Sequence, residues 1–332
     1  MKTYKLIILG ILMIISAKNW SQEGLPVYSD YLTDNYYLIH PSMAGAALCG
    51  QIRVTGRKNW IGEEESPGLF TAAYNQRFGE SSSAIGANFF NDKNGFSSQT
   101  GGYLTYAHHL MFSRDEYDLN MLSFGLSAGF LQYRLDQSSF NDPTDPQISG
   151  SSLSNTEFNI DIGASYQLFD FFTHITLKNV LSNEGINNDG SITDNLRNLL
   201  ISVGYNFNRP GRSWSLEPSL LYSYRYGPEQ AFVDFNMKAY KSMDFGRIWG
   251  GLSYRTSLDS VEFIEDNEIV NQNLKYITPF VGVNYKQFLF AYTYSAQSNP
   301  VTFNNGGFHQ LTVGFNFACR PKPHKCYCPA VN

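Results

Sequence analysis

Long runs of alternating apolar and polar residues constrain the fold of this chain more than any other feature of its sequence. Four clear runs cover residues 122–130, 158–168, 199–207 and 310–317. In the first run, leucine, phenylalanine or alanine stands at every second position, and serine or glycine fills the positions between. Because successive side chains of a strand point to opposite faces, this period predicts strands with one apolar face and one small or polar face.

The length of the strands favours a membrane barrel over a soluble sandwich. They run for about 10–14 residues, whereas soluble strands have roughly 5–6 and membrane-spanning strands need about 9–11. Their ends are rich in aromatic residues, as at Trp214, Tyr222, Tyr224 and Tyr226, which is typical of the girdles at the two bilayer interfaces. Only 16% of the residues are charged, which is low for a soluble domain. The sequence predicts an all-β, antiparallel transmembrane barrel.

Helices do not offer another way across a membrane. Beyond the N-terminus, no segment reaches the roughly 18 apolar residues that indicate a membrane helix. The mean hydropathy is also slightly negative, which is too polar for a bundle of such helices. A chain that spans a bilayer without helices has to close its strands into a barrel, because open edges leave backbone groups unpaired in lipid.

Turn signals divide the chain into about fourteen strands, or twelve or sixteen if one is split or merged, since such barrels take even numbers. The connections after even-numbered strands are short, and most of those after odd-numbered strands are longer, including a predicted loop at 257–273. Because periplasmic turns are short and external loops long, both termini are predicted to be periplasmic. The predicted strands lie near 48–59, 67–78, 82–91, 97–111, 117–134, 156–168, 170–180, 197–208, 213–226, 229–241, 244–256, 274–286, 287–296 and 306–317.

The N-terminus has the pattern of a secretory signal peptide. Lys2 and Lys5 precede a short apolar run at 6–15, and small residues follow it. Cleavage is expected after Ala17 or Ser21, and we favour Ser21. The predicted organisation is a signal peptide (1–21), a periplasmic or lumenal segment (22–47), an outer-membrane barrel (48–317) and a periplasmic tail that contains cysteines (318–332).

Four cysteines suggest disulfide bonds in an oxidising periplasm. Cys49 opens the first predicted strand and Cys319 follows the last one. Since these strands pair in a closed barrel, we expect a Cys49–Cys319 bond at the seam. Cys326 and Cys328 are separated by one residue, which strains a bond between them, so they pair with Cys49 or Cys319 or with a partner.

The polar face of the strands carries charged residues that a barrel would place in its lumen. Opposite charges fall on neighbouring strands, as with Arg225, Asp234 and Arg247, which favours structural pairing; a charged channel constriction is the alternative. The predicted lumenal charges are Arg53, Arg57, Asp161, Glu217, Arg225, Asp234, Lys238, Arg247 and Arg255.

Motifs for catalysis or cofactor binding do not emerge from the sequence. His108 and His109 are adjacent in a predicted strand, so they point to opposite faces and are poorly placed to share a metal ion. There is no phosphate-binding loop or dinucleotide fingerprint. The net charge of −5 is spread without basic runs, so nucleic acid is not an expected partner. We predict no cofactor, no metal and no enzymatic activity.

The residues before and within the first strand resemble the opening of the PorP/SprF family of Bacteroidota. Members carry an Asn-Pro-Ala-x-x-Gly-like turn, for which this chain has Pro41 and Gly45 but His40 and Ser42 in place of Asn and Ala. The turn is followed by an Arg-x-x-Trp-x-Gly motif and a proline, which are matched by Arg57, Trp60, Gly62 and Pro67.

The resemblance implies an integral outer-membrane component of type IX secretion and gliding motility. It implies two partners besides outer-membrane lipid: a large secreted adhesin with a type IX sorting domain, and a periplasmic peptidoglycan-binding protein. A channel for small solutes or hydrophobic compounds is the alternative function, and an enzyme is the third. For the aromatic segment 28–45, the expectation is that it plugs the lumen or docks a partner at the periplasmic mouth.

Overall fold

The computed structural model describes residues 28–59, 67–113, 119–137, 152–181, 197–208, 213–226, 229–265, 268–298 and 307–320. Within these ranges, no helix is long and apolar enough to cross a membrane. The predicted signal peptide, most of the cysteine-containing tail and the longer predicted loops lie outside the described residues.

Fourteen strands form one antiparallel sheet that closes on itself. The first and last strands pair along their whole length, from Gly50 opposite Phe317 to Asn59 opposite Phe308, and this pairing closes the barrel. The strands are β1 (Gly50–Asn59), β2 (Gly68–Arg77), β3 (Ser83–Asn94), β4 (Ser97–Met111), β5 (Asn120–Asp136), β6 (Ser152–Leu168), β7 (Phe171–Lys178), β8 (Asn198–Tyr205, continued as Phe207–Asn208), β9 (Trp214–Arg225), β10 (Gln230–Met243), β11 (Gly246–Glu265), β12 (Glu268–Tyr285), β13 (Phe288–Gln297) and β14 (Phe308–Phe317). The predicted fold class and strand number are confirmed.

The barrel has its apolar face outside and its polar face inside. On β5, Leu126 is 49% exposed and Phe130 is 62% exposed, whereas Ser123 and Ser127 on the alternate face are buried. Both sets belong to the alternating run that predicted the strand. This arrangement is the reverse of a soluble sandwich and suits a barrel whose outer surface contacts lipid.

The predicted loop at 257–273 is wrong. There β11 and β12 continue as a hairpin, pairing on to Glu265 opposite Glu268. Acidic residues are uncommon in strands, but the stretch also contains β-branched and aromatic residues that favour them. In the pairing, Phe263 stands opposite Val270 and Ile264 opposite Ile269.

Three short 3₁₀ helices precede β1, at Tyr28–Thr33, Tyr36–Leu38 and Pro41–Met43. They lie in the aromatic segment 28–45, for which the sequence predicted either a plug of the lumen or a docking element for a partner. None is longer than two turns, because Asp34 takes a left-handed conformation, with φ of 61°, and Pro41 cannot continue a preceding turn. The segment is therefore a chain of turns rather than a helix.

Candidate functional site: the lumenal plug

Residues 31–47, which we call the plug, lie inside the ring of strands. Nearly all their side chains are buried, and Ile39, His40, Ser42 and Ala44 have no exposed surface. The plug contacts strands on every side of the ring, from β2 and β3 through β5 to β7 and on to β9, β10 and β12. A segment that touches so many strands of one closed sheet, always on its polar face, occupies the lumen.

The centre of the plug is held by neutral side chains. The His40 imidazole lies between two hydroxyl groups, with Nδ1 2.8 Å from Thr176 Oγ1 and Nε2 2.8 Å from Ser202 Oγ. Ser42 Oγ lies 2.5 Å from Ser165 Oγ. Burial lowers the pKa of His40 well below its usual value, so the ring is neutral and donates one hydrogen bond while accepting the other.

Further neutral contacts flank this centre. The Tyr37 hydroxyl lies 2.8 Å from Thr105 Oγ1 on β4. His109 Nε2 lies 2.9 Å from the carbonyl oxygen of Ala44. Two cationic side chains donate to plug carbonyls nearby: Lys178 Nζ to Leu38 O, at 3.4 Å, and Arg77 Nε to Gly45 O, at 3.0 Å. This part of the plug thus meets the wall through single hydrogen bonds with uncharged acceptors.

Glycines in the wall leave room for the plug. A Cβ atom at Gly125 on β5 would run into the backbone of Pro41 and Ser42, and one at Gly163 on β6 would lie 3.2 Å from the Pro41 ring. At the end of the plug, Gly45 has φ of 63°, and a Cβ there would lie 2.5 Å from Ala84 Cβ. The close approach of plug and wall therefore depends on missing side chains on both surfaces.

The start of the plug is held by charged groups. Asp234 on β10 forms two hydrogen bonds with Arg255 on β11, at 2.6 and 2.7 Å. The hydroxyl of Tyr31 donates to the same carboxylate at 2.7 Å and also lies near Asn236. All these groups are buried, and such charge-assisted bonds are stronger than neutral ones.

A second ion pair joins the plug to β10. Lys238 Nζ lies 2.6 Å from Asp34 Oδ1, and the Tyr240 hydroxyl donates to the same oxygen at 3.2 Å. Four aromatic rings surround the ammonium group at 5.3–6.0 Å from their centroids, which is within the range of cation–π contact. These rings belong to Tyr36, Tyr240, Trp249 and Phe280.

Glu217 on β9 completes this charged region. It stands opposite Lys238 in the β9–β10 pairing, and its side chain is almost fully buried. The Tyr36 hydroxyl donates to one of its oxygens at 3.5 Å, and the Tyr240 hydroxyl, whose single proton is shared between Asp34 and Glu217, lies 3.4 Å from the other. The carboxylate therefore links the wall to the plug through two tyrosines.

The partner of Asp234 differs from the sequence-based grouping with Arg225 and Arg247. In the β10–β11 register Arg255 stands directly opposite Asp234, whereas Arg247 stands opposite a serine near the far end of the pair. Arg247 is half-buried, with its guanidinium carbon 5.4 Å from the centroid of the Tyr240 ring. Arg225 is also half-buried, at the end of β9. Strand order alone placed these charges on neighbouring strands, but register decides which of them meet.

The remaining predicted lumenal charges lie on other parts of the polar face. Arg53 is buried on β1 and donates to Asn316 Oδ1 at 2.8 Å. Asp161 on β6 is buried, accepts a hydrogen bond from the backbone of Asn179 at 2.8 Å and lies 3.7 Å from Lys178 Nζ. These contacts place the charges in structural pairs with the wall.

Of the motif that follows the plug, Arg57 is buried on β1 and Pro67 directly precedes β2. Trp60 and Gly62 lie outside the described residues. His108 and His109 take opposite faces of β4, as expected: His109 is buried against the plug, and His108 lies beside Tyr106 on the outer face. Among the described residues, no cluster of three or more His, Cys, Asp or Glu is arranged to hold a metal ion.

The predicted Cys49–Cys319 disulfide is confirmed, with an S–S distance of 2.00 Å. It joins the residue before β1 to the second residue after β14. Arg320 adds to this link, because its guanidinium donates to Ala47 O at 3.0 Å and its backbone N–H donates to Leu48 O at 3.1 Å. The end of the plug is therefore fastened to the end of the last strand. Cys326 and Cys328 lie outside the described residues.

Solved structures similar to this chain include several barrels. CdiB from Acinetobacter baumannii has 9% identity and a TM-score of 0.42; the match covers 81% of this chain, which spans 60% of that one. Omp33 of Acinetobacter baumannii has 9% identity and a TM-score of 0.42, with 82% and 100% of the two chains covered. A mutant of the monoaromatic hydrocarbon channel TodX has 11% identity and a TM-score of 0.44, with 85% and 92% covered.

A search of curated proteins finds no match. A family model described as "Type IX secretion system membrane protein PorP/SprF" matches residues 21–315, which is most of the chain. The match includes the plug, the motif after it and all but the last two residues of β14. The chain therefore belongs to the PorP/SprF family of type IX secretion membrane proteins, and its closed barrel places it in the outer membrane.

Proposed function

We propose that this chain is a plugged, non-enzymatic barrel that supports the export or surface attachment of a large secreted adhesin. In this proposal the adhesin carries a type IX sorting domain, and a peptidoglycan-binding protein contacts the barrel from the periplasm. Membership of a type IX secretion family supports both kinds of partner. The signal peptide is removed after Ser21, so the mature chain begins a few residues before the plug.

The observation that carries the proposal is the filled lumen. The plug is almost entirely buried and is hydrogen-bonded to strands on several sides of the ring. A solute channel needs a continuous water-filled path, whereas this lumen is occupied by the chain itself. With the lumen occupied, the surfaces left for other proteins are the two rims of the barrel.

The two rims differ in their connections. The start of β1 and the end of β14 lie at one rim, where Gly50 stands opposite Phe317. The connections there are short, as at 169–170, 244–245 and 286–287, whereas the opposite rim has the long connections 137–151 and 179–197. We assign the first rim to the periplasm because periplasmic turns are short in such barrels. The periplasmic partner then meets the rim with the disulfide, and the adhesin meets the long connections.

A mild-detergent purification of the native protein tests the partners. The expected result is co-purification of a large secreted protein with a type IX sorting domain and of a periplasmic protein with a peptidoglycan-binding domain. A matched purification of an unrelated outer-membrane barrel from the same cells controls for nonspecific capture. Recovery of the barrel alone, under conditions that keep other membrane complexes intact, would contradict the proposal.

Conductance in planar bilayers tests the plug against the channel function. The intact chain should conduct little, and a variant that lacks residues 22–45 should conduct strongly. Slower migration of both proteins after heating on denaturing gels would show that each had folded. Strong conductance of the intact chain would instead favour the solute channel.

A further inference from the structure

The outer face of the barrel carries an apolar groove across β5, β6 and β7. It runs from Tyr106 and His108 on β4 to Leu199 on β8 and to Tyr226, just after β9, and its volume is about 620 Å³. Sites for small ligands commonly have volumes of about 300–1,000 Å³. Because His108 lies near the end of β4 and Leu199 near the start of β8, the groove crosses the wall obliquely from one rim towards the other.

The pairing of β4 to β8 sets the two sides of the groove. One row of outward side chains joins His108 to Ile175, and the other joins Tyr106 to Leu199. Each residue of a row stands directly opposite the next one on the neighbouring strand. Ala164 lies in the first row between a phenylalanine and Ile175, and its single methyl group leaves space among larger side chains.

The floor of the groove is backbone. Gly125 and Gly163 lie between the two rows, and side chains at these positions would point into the lumen, where Pro41 takes the space. One layer of backbone therefore separates the groove from the plug. The glycines that admit the plug on the inside also lower the floor of the groove on the outside.

A cation stands at the end of the groove near the long connections. Arg197 precedes Leu199 by two residues, so the two side chains share the outer face. Its guanidinium carbon is 6.0 Å from the centroid of the Tyr226 ring, and its guanidinium donates to Val180 O at 3.2 Å. These contacts hold the guanidinium beside the groove. Such a group binds phosphate through both its charge and its paired hydrogen bonds.

The position and the charge of the groove indicate its occupant. The groove lies on the face of the wall that contacts lipid, so an acyl chain can enter it directly from the membrane. Lipid tails are as apolar as the wall, so the shape of the groove selects weakly among them, and selection depends on Arg197. The outer leaflet of a bacterial outer membrane consists largely of phosphorylated glycolipids with several acyl chains.

We propose that the groove binds one acyl chain of a phosphorylated glycolipid of the outer leaflet, whose phosphate is held by Arg197. The chain runs over Gly163 and Gly125 towards Tyr106. The proposal rests on the proposed function in one respect, because it takes the rim of long connections as the external one.

Native mass spectrometry of the full-length protein tests this site. The protein is released from phosphatidylcholine nanodiscs that contain a small share of diphosphorylated lipid A. We expect saturable retention of one lipid A molecule per barrel. Lipid A without its phosphates, which keeps the same acyl chains, and phosphatidylglycerol, which carries a phosphate on a different lipid, should each be retained about tenfold more weakly.

Two variants test the two parts of the site. Arg197→Gln should lower retention of lipid A about tenfold, because a bond to a charged group is lost. Its control is Lys241→Gln, which removes a cation beside Trp214 near the opposite rim and should leave retention unchanged.

The second variant, Ala164→Leu, fills the groove and should lower retention about fivefold, as overpacking does. Its control is Ala72→Leu on the lipid-facing side of β2, which lies outside the groove. Slower migration after heating on denaturing gels shows that each variant has folded.

Equal retention of lipid A and phosphatidylglycerol would show unselective contact with membrane lipid and would overturn the proposal. Equal retention by the intact chain and Arg197→Gln would overturn it as well. The measurement uses the purified barrel alone, so it is separate from the partner purification. Selective retention without a co-purified adhesin contradicts the proposed function and leaves the groove standing, whereas an adhesin with unselective retention does the reverse.

Discussion

The two halves of the plug are held in the barrel by different forces. Residues 31–36 meet β9 and β10 through buried carboxylates and the cations paired with them, as at Asp234 and Lys238. Residues 37–45 meet β2 to β8 mainly through hydroxyl groups, imidazoles and wall glycines, as at His40 and Gly125. One half is fixed by charge pairing, and the other by close fit and by hydrogen bonds in which the acceptors are uncharged.

The difference teaches that one lumen can be filled by two kinds of contact. The inner face of the wall is mostly small or polar, with a few large side chains such as Trp249 and Phe280. Charged pairs tolerate little change, since losing one partner leaves a buried charge, whereas a close fit depends on the volume of each group. The two halves should therefore respond to different substitutions.

Removal of the Asp234 carboxylate should have the largest effect. In Asp234→Ala, the buried Arg255 guanidinium and the Tyr31 hydroxyl lose their shared acceptor. We expect a loss of about 3–5 kcal/mol in the free energy of unfolding, as for other broken buried pairs. Urea titration of the barrel in lipid vesicles measures it. The double variant Asp234→Ala with Arg255→Met should recover part of the loss, and a single-variant loss below about 1 kcal/mol would contradict the charged account.

A matched pair of tyrosines compares the two halves directly. Tyr31 donates to a carboxylate and Tyr37 contacts the hydroxyl of Thr105, and both side chains are buried. Tyr31→Phe should cost about 1.5–3 kcal/mol and Tyr37→Phe about 0.5–1.5 kcal/mol, because bonds to charged groups are stronger. The same urea titration measures both, and equal losses would remove the distinction between the halves.

A methyl group at Gly125 tests the close fit. In Gly125→Ala the new Cβ meets the backbone of Pro41 and Ser42, which cannot move aside as a flexible side chain does. We expect a loss of about 1–3 kcal/mol, as for other overpacked sites, together with raised conductance as the plug shifts. Gly102→Ala on β4 is the control, since its Cβ meets nothing closer than 3.7 Å. Identical behaviour of the two variants would show that the wall glycines do not position the plug.

Lowering the pH should reduce the stability that residues 37–45 of the plug give to the barrel. Burial lowers the pKa of His40 well below its usual 6.5, so the unfolded chain takes up this proton first as the pH falls. The contribution of His40 is therefore complete above about pH 6.5 and decreases below it, by up to about 1.4 kcal/mol per pH unit. Urea titrations between pH 7 and pH 5 should show a smaller slope in His40→Gln, which keeps a donor and an acceptor. An unchanged slope would assign the pH dependence to other groups.

The sequence predicted the barrel because its wall obeys a local rule. Alternation with a period of two fixes which residues face lipid, and strand length fixes that the sheet spans a bilayer. The Cys49–Cys319 bond followed from closure alone, since the first and last strands of a barrel are neighbours.

These local rules did not predict which residues the plug contacts. His40 finds Thr176 and Ser202 on two different strands far along the chain, and only the three-dimensional path of the plug brings them together. Register likewise decided that Asp234 meets Arg255. One signal was present: Gly125 and Gly163 stand on the polar face of long strands, where an absent side chain marks a close approach.

An engineered cross-link tests the central claim, that the plug occupies the lumen, most directly. Ser42 Oγ and Ser165 Oγ lie 2.5 Å apart, one on the plug and the other on the inner face of β6. In the folded barrel, Ser42→Cys with Ser165→Cys should form a disulfide that non-reducing peptide mapping detects. Ser42→Cys with Ala164→Cys, on the outer face of the same strand, should not. Free thiols at 42 and 165 in a folded, oxidised barrel would contradict a plugged lumen.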